Sequence, residues 1–408
     1  MFDPIAIRSQ FPILSTKVHG KPLIYLDNAA TTQKPLCVLN ASRQYYELMN
    51  ANIHRGAHYL SQLATEAHEQ ARVTVSEFIG ANRPEELLFT SGCTMSINLV
   101  ASILGLSGQI GKGDEIIIST TEHHSNIVPW QMLCERTGAS LKIIPLANNL
   151  TWDMIAYEQL LSRKTKIVSV GHISNALGIL NPVEKVASLA KHNNPATFVL
   201  IDGAQAISHH LIDVKAIGCD FYAFSGHKTY APTGIGALWG KYDILDSLPP
   251  WLGGGEMIRE VSFEKTTYNK LPFKYEAGTP NIEGAIALAE ALRFVEKTDL
   301  PNIISHEERL TQQALEGLKQ IPGIRILGPD SPRGAVISIL INGVHHYDLG
   351  TILDQMGIAV RTGHHCCQPL MNSLGTTGTT RISFALYNTS EEVDIMLTSM
   401  NRAISMLS

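Results

Sequence analysis

The sequence predicts an α/β protein: a doubly wound, mostly parallel sheet followed by a second, smaller α/β domain. Three observations carry this. Between residues 23 and 240, short apolar runs alternate with stretches of helical period. Several apolar runs end in small or polar residues, as strands do when their carboxyl ends open on a site. After a long Ala-rich helical pattern from Ile282 to about Glu296, the alternation resumes with a different rhythm. A chain of 408 residues has room for two such domains. We read 1–22 as an N-terminal arm packing against the small domain, 23–285 as the large domain and 286–408 as the small one.

Taken in order, Leu23–Asp27 is the first expected strand. It runs into Asn28-Ala29-Ala30-Thr31-Thr32, small polar residues that suit either a site wall or a helix cap. Asn52-Ile53-His54-Arg55-Gly56 reads as a polar loop before a helix. Leu87–Thr90 reads as a strand, and Ser91-Gly92-Cys93-Thr94 leads from it into an amphipathic helix starting near Met95. Free N–H groups at such a helix start cradle a phosphate or are simply capped. Asp114–Ser119 is a strand ending in Thr121-Glu122-His123-His124. Neighbours in an extended segment point to opposite sides, which disfavours one metal ion held by both histidines. A planar imidazole stacked on an aromatic cofactor is the other use.

Lys166–Val170 leads to Asn175 beyond a further strand end, and Pro182 opens a helix to about His192. Thr197–Ile201 is the clearest buried strand, and it delivers Asp202, followed by Gly203-Ala204-Gln205. A carboxylate there is costly unless paired, so it suits a cationic ring nitrogen. Phe221–Phe224 ends in Ser225-Gly226-His227-Lys228, and the residues from Thr229 to Gly236 read as a tight loop. Lysine is seldom buried without a reason. A desolvated lysine loses proton affinity and can form a Schiff base with an aldehyde such as pyridoxal phosphate.

In the second domain, Glu307–Lys319 and Asp348–Met356 read as helices, and Ala335–Ile341 and Ile358–Arg361 as strands. A helix runs from about Glu391. Arg361-Thr362-Gly363-His364-His365-Cys366-Cys367 contains four consecutive His and Cys residues, which wrap poorly around a tetrahedral ion. A thiol beside an arginine and two histidines is expected instead to lose its proton readily and act as a nucleophile. Arg381 suits a bidentate grip on a carboxylate.

Bulk properties narrow the function. A net charge of −5 leaves no basic footprint for nucleic acid. No apolar run approaches the roughly 18 residues that a membrane span requires. Met1-Phe2-Asp3-Pro4 lacks the features of a signal peptide. Six cysteines are too sparse for a disulfide scaffold, so a reducing, cytoplasmic setting is expected.

In their order, these landmarks resemble the group II (Suf-type) cysteine desulfurases and selenocysteine lyases, class V aminotransferases of pyridoxal-phosphate fold type I. The matching segments are Leu26-Asp27-Asn28-Ala29-Ala30, Glu122-His123-His124, His172-Ile173-Ser174-Asn175, Asp202-Gly203-Ala204-Gln205, Ser225-Gly226-His227-Lys228, Glu276-Ala277-Gly278-Thr279-Pro280 and Arg361-Thr362-Gly363-His364-His365-Cys366. The resemblance spans essentially the whole chain. It implies a mostly parallel seven-stranded sheet, pyridoxal 5'-phosphate as cofactor and a homodimer with a shared active site.

The resemblance also implies residue roles. Lys228 would carry the cofactor and shuttle protons. Asp202 would pair with the ring nitrogen, His123 stack on the ring, and Gln205 and Asn175 contact its phenolic side. Thr94, Ser225 and His227 would bind the phosphate, joined by Thr279 from the other subunit. Arg381 would hold the substrate carboxylate. Asn28, Arg361, His54 and Arg55 would line the substrate side, the last two near the dimer interface. Cys366 would take sulfur from L-cysteine as a persulfide, leaving L-alanine. A Suf-type acceptor protein would then receive it for iron–sulfur cluster assembly. Selenocysteine lyase or cysteine sulfinate desulfinase activity is a narrower variant. A same-fold aminotransferase is the alternative class, against which the segment Arg361 to Cys366 argues. The chain departs from the family at Gly92-Cys93-Thr94-Met95, usually Gly-Thr-Thr-Glu, at Cys367, and at Asn28, where Ser is common.

Overall fold

The computed structural model describes residues 2–407. Its spine is a seven-stranded sheet. The spatial order is Leu87–Thr90, Gly236–Gly240, Phe221–Ser225, Phe198–Asp202, Thr165–Gly171, Glu115–Ser119, Ser140–Ile144. Gly236–Gly240 is antiparallel to both neighbours, and the remaining pairs are parallel. The central strands are buried on both faces and therefore read as continuous apolar runs. Alternate residues divide between two cores. Ile116, Ile118, Ile167 and Leu200 pack with Ile97, Val100 and Leu104 of helix Cys93–Leu106. Ile117, Val168, Val199 and Ile201 pack with Val183, Val186 and Ala190 of helix Val183–Asn193.

Three readings differ from the outcome. The segment after Lys228 is not only a loop, because Gly236–Gly240 returns as a strand. Its link to Phe221–Ser225 is too short for a parallel crossover, so it can only pair antiparallel. The apolar run at Leu23 forms a strand only over Ile24–Tyr25, and it lies outside the large sheet. It pairs in parallel with Ile358–Ala359. Leu26 is fully buried against the small-sheet core, which draws the segment there. The expected single strand from Ile358 to Arg361 divides in two: Ile358–Ala359, and Arg361–Gly363, which pairs with Thr379–Ser383.

The smaller sheet is antiparallel, in the order Ile324–Ile326, Val336–Ile341, Thr379–Ser383, Arg361–Gly363. Helices Leu300–Lys319, His346–Gln355 and Ser390–Leu407 share its core through Leu315, Leu353 and Met396. In the N-terminal segment, Arg8 pairs with Glu392 at 2.8 Å and donates to the carbonyl of Leu23 at 3.1 Å. Among the described residues, no helix is long and apolar enough to cross a membrane.

Candidate active site

A cavity of about 320 Å³ opens beyond the carboxyl ends of Glu115–Ser119, Thr165–Gly171, Phe198–Asp202 and Phe221–Ser225. This is where open α/β sheets collect ligands. Lys228 lines it from the single turn Gly226–Lys228 that follows its strand. Desolvation by the cavity walls pushes its pKa down, and Asp202 opposes this. Asp202 is buried at the end of its strand. The Ala204 N–H donates to its Oδ1 at 3.0 Å, and the Cys93 thiol donates to the same oxygen at 3.2 Å. No protein donor reaches Oδ2 among the described residues.

His123 also lines the cavity. The Ser125 N–H donates to its Nδ1 at 3.1 Å. Burial and the charge of Lys228 bring its pKa down to about 4, so the ring is neutral near pH 7. Gln205 is anchored through its Nε2, which donates to the carbonyl of Ala29 at 2.7 Å. Thr94, Ser225 and His227 lie on the same cavity. The Cys93 N–H donates to Ser225 Oγ at 2.8 Å, which leaves the Ser225 hydroxyl proton free for another acceptor. Gly92 makes this close approach possible: its φ is 148°, and a Cβ there would lie 3.1 Å from Ser225 Oγ.

The donor set fits pyridoxal phosphate along its whole length. Two hydroxyls and the start of helix Cys93–Leu106 suit the phosphate. The unpartnered oxygen of Asp202 suits a cationic ring nitrogen, and the desolvated amine of Lys228 suits an aldehyde.

Arg381 is 3% exposed. It donates to the carbonyl of Asn175 at 2.9 Å and to Asp27 Oδ1 at 3.2 Å. Its Nε is buried without a partner, and the residue lines the cavity. Arg361 stands 3.6 Å from Asp27 Oδ2 and is half exposed. Asn175 lines the cavity but holds the cysteine loop. Its Nδ2 donates to the carbonyl of His365 at 2.7 Å, and its Oδ1 accepts from the Cys367 thiol at 3.1 Å.

Cys366 lines the cavity from this loop. His365 and Cys366 adopt consecutive positive φ angles of 52° and 54°, a backbone that L-residues hold only under constraint. The constraint is visible. The His124 N–H donates to the carbonyl of Cys366 at 2.7 Å, and the Cys366 N–H donates to His364 Nδ1 at 3.0 Å. Of the two histidines expected to favour the thiolate, His365 carries no positive charge near pH 7. Burial and the charges of Arg381 and Arg361 drive His365 down to about 2, so it is neutral. Cys367 points the other way and is fully buried, and burial pushes its thiol up to about 12.

Four expected site residues do not line this cavity within one chain. Asn28 is buried, and its amide donates to Ser383 O at 2.7 Å and Asn388 Oδ1 at 3.1 Å while accepting from Tyr387. That set of partners fixes the strand-to-loop turn and leaves no amide donor for substrate. His54 stands 3.0 Å from Glu69 and 3.1 Å from Glu256, and Arg55 3.2 Å from Glu256. Thr279 is exposed.

Asp27, Cys93 and Glu122 also line the cavity, and the sequence reading gave them no role there. Asp27 braces both arginines. Cys93 touches Asp202. Glu122 accepts from Asn126 Nδ2 at 2.6 Å and the Gly171 N–H at 3.2 Å, and burial raises its pKa to about 7. Their signal was adjacency, since each stands beside a residue that was named.

Residues 24–396 match the family model described as aminotransferase class-V. A probable cysteine desulfurase of Vibrio cholerae is 49% identical over 407 residues, covering 100% of this chain and 100% of its own. The apo structure of a cysteine desulfurase from Thermococcus onnurineus superposes with a TM-score of 0.94 at 38% identity, covering 100% of this chain and 99% of its own. The cysteine desulfurase CsdA from Escherichia coli gives 0.92 at 39% identity, with 100% of each chain covered.

Proposed function

The chain belongs to the aminotransferase class-V family and, within it, to the cysteine desulfurases, and from that premise we propose how its own residues divide the work. The protein is a pyridoxal-phosphate enzyme that releases L-alanine from L-cysteine and passes the sulfur to an acceptor. When bound, the cofactor supplies an electron-withdrawing ring that takes up the electron pair released at the substrate Cα.

Asp202 would hold the cationic ring nitrogen. Thr94, Ser225 and His227 would hold the phosphate, and neutral His123, Gln205 and Asn175 would hold the ring. Arg381 grips the substrate carboxylate, and Arg361 supports it from the entrance. The Nζ of Lys228 would hold the cofactor's aldehyde, and it is the base that removes the substrate Cα proton. The Sγ of Cys366 attacks the substrate sulfur. An S–S bond forms, the C–S bond breaks, and its electron pair stays with carbon, which becomes the methyl group of alanine after protonation. The sulfur remains on Cys366 as a persulfide.

Further parts of the reading are also proposed. Residues 1–22 form the arm, 23–285 the large domain and 286–408 the small domain that carries Cys366. The enzyme is a cytoplasmic homodimer of the group II type. His54, Arg55 and Thr279 serve the cavity of the second copy, and a Suf-type protein takes the sulfur.

The observation that carries the reading is that Lys228, Asp202, Arg381 and Cys366 line one cavity. The test is alanine release from L-cysteine with a thiol reductant, for wild type and Cys366→Ala in parallel. The expected result is release from wild type and almost none from the variant. Equal rates in both would remove the role given to Cys366.

A further inference from the structure

We propose that Cys93 is a positioning residue for Asp202, and that its thiol aims the carboxylate at the cofactor ring. The inference rests on the reading that Asp202 meets a cationic ring nitrogen. A carboxylate at a strand end turns about its last torsion unless something holds it. Two donors fall on Oδ1, the Ala204 N–H at 3.0 Å and the Cys93 thiol at 3.2 Å. Holding Oδ1 from two sides directs Oδ2 elsewhere, and Asp202 and Cys93 line the same cavity.

Cys93 is buried, and burial with the nearby Asp202 charge raises its pKa well above the ordinary thiol value. It therefore stays an S–H donor at working pH. The same residue contacts a second lining residue through its backbone, because its N–H donates to Ser225 Oγ at 2.8 Å. One residue at the first position of helix Cys93–Leu106 thus fixes both the ring-side carboxylate and a phosphate-side hydroxyl. Substitution of the side chain removes only the first of these. This makes Cys93 separable from the phosphate grip, and it gives a role to a position where the chain departs from the resembling family.

The experiment compares Cys93→Ala and Cys93→Ser with wild type. Three quantities are read: pyridoxal-phosphate uptake by the apoenzyme, the absorption band of the loaded protein, and kcat against KM for L-cysteine. Thermal melting of each apoenzyme checks folding. Cys93→Ala is expected to weaken uptake and lower kcat by about threefold to tenfold, the range for one lost hydrogen bond, with KM little changed. Its absorption band should shift. Cys93→Ser restores a donor of similar size and should recover most of each loss. Wild-type behaviour of Cys93→Ala overturns the proposal. So does a Cys93→Ser protein as impaired as Cys93→Ala, since the sulfur would then only fill space. A wild type that takes up no pyridoxal phosphate overturns the reading of the site itself, an outcome separate from either variant result.

Discussion

The sheet-end wall of the cavity and the cysteine loop hold their reactive groups in opposite ways. Asp202 and Ser225 end strands paired on both sides by backbone hydrogen bonds, and Lys228 follows within one turn of Ser225. The loop of Cys366 is held by cross-contacts from Asn175 to the carbonyl of His365 and from His124 to that of Cys366, and by a local bond to His364. Its backbone sits in a left-handed conformation that those contacts must enforce. The difference suits the two tasks proposed for them. A cofactor needs fixed partners, whereas a sulfur carrier must reach a substrate inside and an acceptor outside. Within the loop the contrast repeats on a smaller scale. Cys366 lines the cavity, while its neighbour Cys367 is fully buried and donates to Asn175. Adjacent thiols therefore have different surroundings, one open to the cavity and one closed off from it.

The largest expected effect separates wall from loop directly. Lys228→Ala and Cys366→Ala should each lower alanine release by at least about a hundredfold, the scale for losing a proton-transfer group or a nucleophile. Only Cys366→Ala should keep the absorption band of the lysine-linked cofactor. Identical spectra for the two variants would erase the distinction.

Next in size is Arg381→Lys, at the junction of wall and loop. Losing the fork should raise KM for L-cysteine about tenfold or more, because hydrogen bonds to charged groups are the strong ones. A KM unchanged in steady-state assays would put the substrate carboxylate elsewhere.

A pH test probes the support beneath the wall. His172 is buried beside Tyr222, with Nδ1 3.1 Å from its hydroxyl, and burial lowers its pKa to about 3. The native ring resists a proton that the unfolded chain accepts below its ordinary pKa of about 6.5. Its contribution is therefore present above that pH and lost as pH falls toward about 3. Denaturant titrations of the apoenzyme between pH 6.5 and 5 should show His172→Gln losing stability less steeply than wild type, by up to about 1.4 kcal/mol per pH unit. Parallel slopes would refute the assignment.

The smallest effect tests the pair of thiols. Cys367→Ala should leave alanine release within about twofold and lower stability by about 1 kcal/mol, as for removal of one small buried group. A large loss of activity would mean that Cys367 takes part in sulfur handling.

Much of the wall was legible because burial on both faces writes itself as an apolar run, and the residue ending that run lies at the sheet's carboxyl edge. Leu87–Thr90 matches its expected bounds, and the other parallel strands that deliver site residues shift by only one or two positions. Ser140–Ile144 was missed because it is a partly exposed edge strand in which only Ile144 is buried. Gly236–Gly240 was missed because its glycines read as turn. The loop was legible as chemistry but not as electrostatics. An arginine and two histidines read as neighbours that favour a thiolate, whereas burial against two arginines keeps His365 neutral. The resemblance placed Asn28 on the substrate side, yet its amide turns to Ser383 and Asn388.

By itself, then, the sequence determined the elements and the residue types delivered at their ends, because periodicity and local propensity act within a few residues. Tertiary structure alone decided which ends face one another. Ile24–Tyr25 joins Ile358–Ala359 across more than three hundred residues, Asp27 braces Arg381, and the Cys93 thiol meets Asp202. Those choices follow from burial and charge pairing between distant segments, which no local pattern encodes.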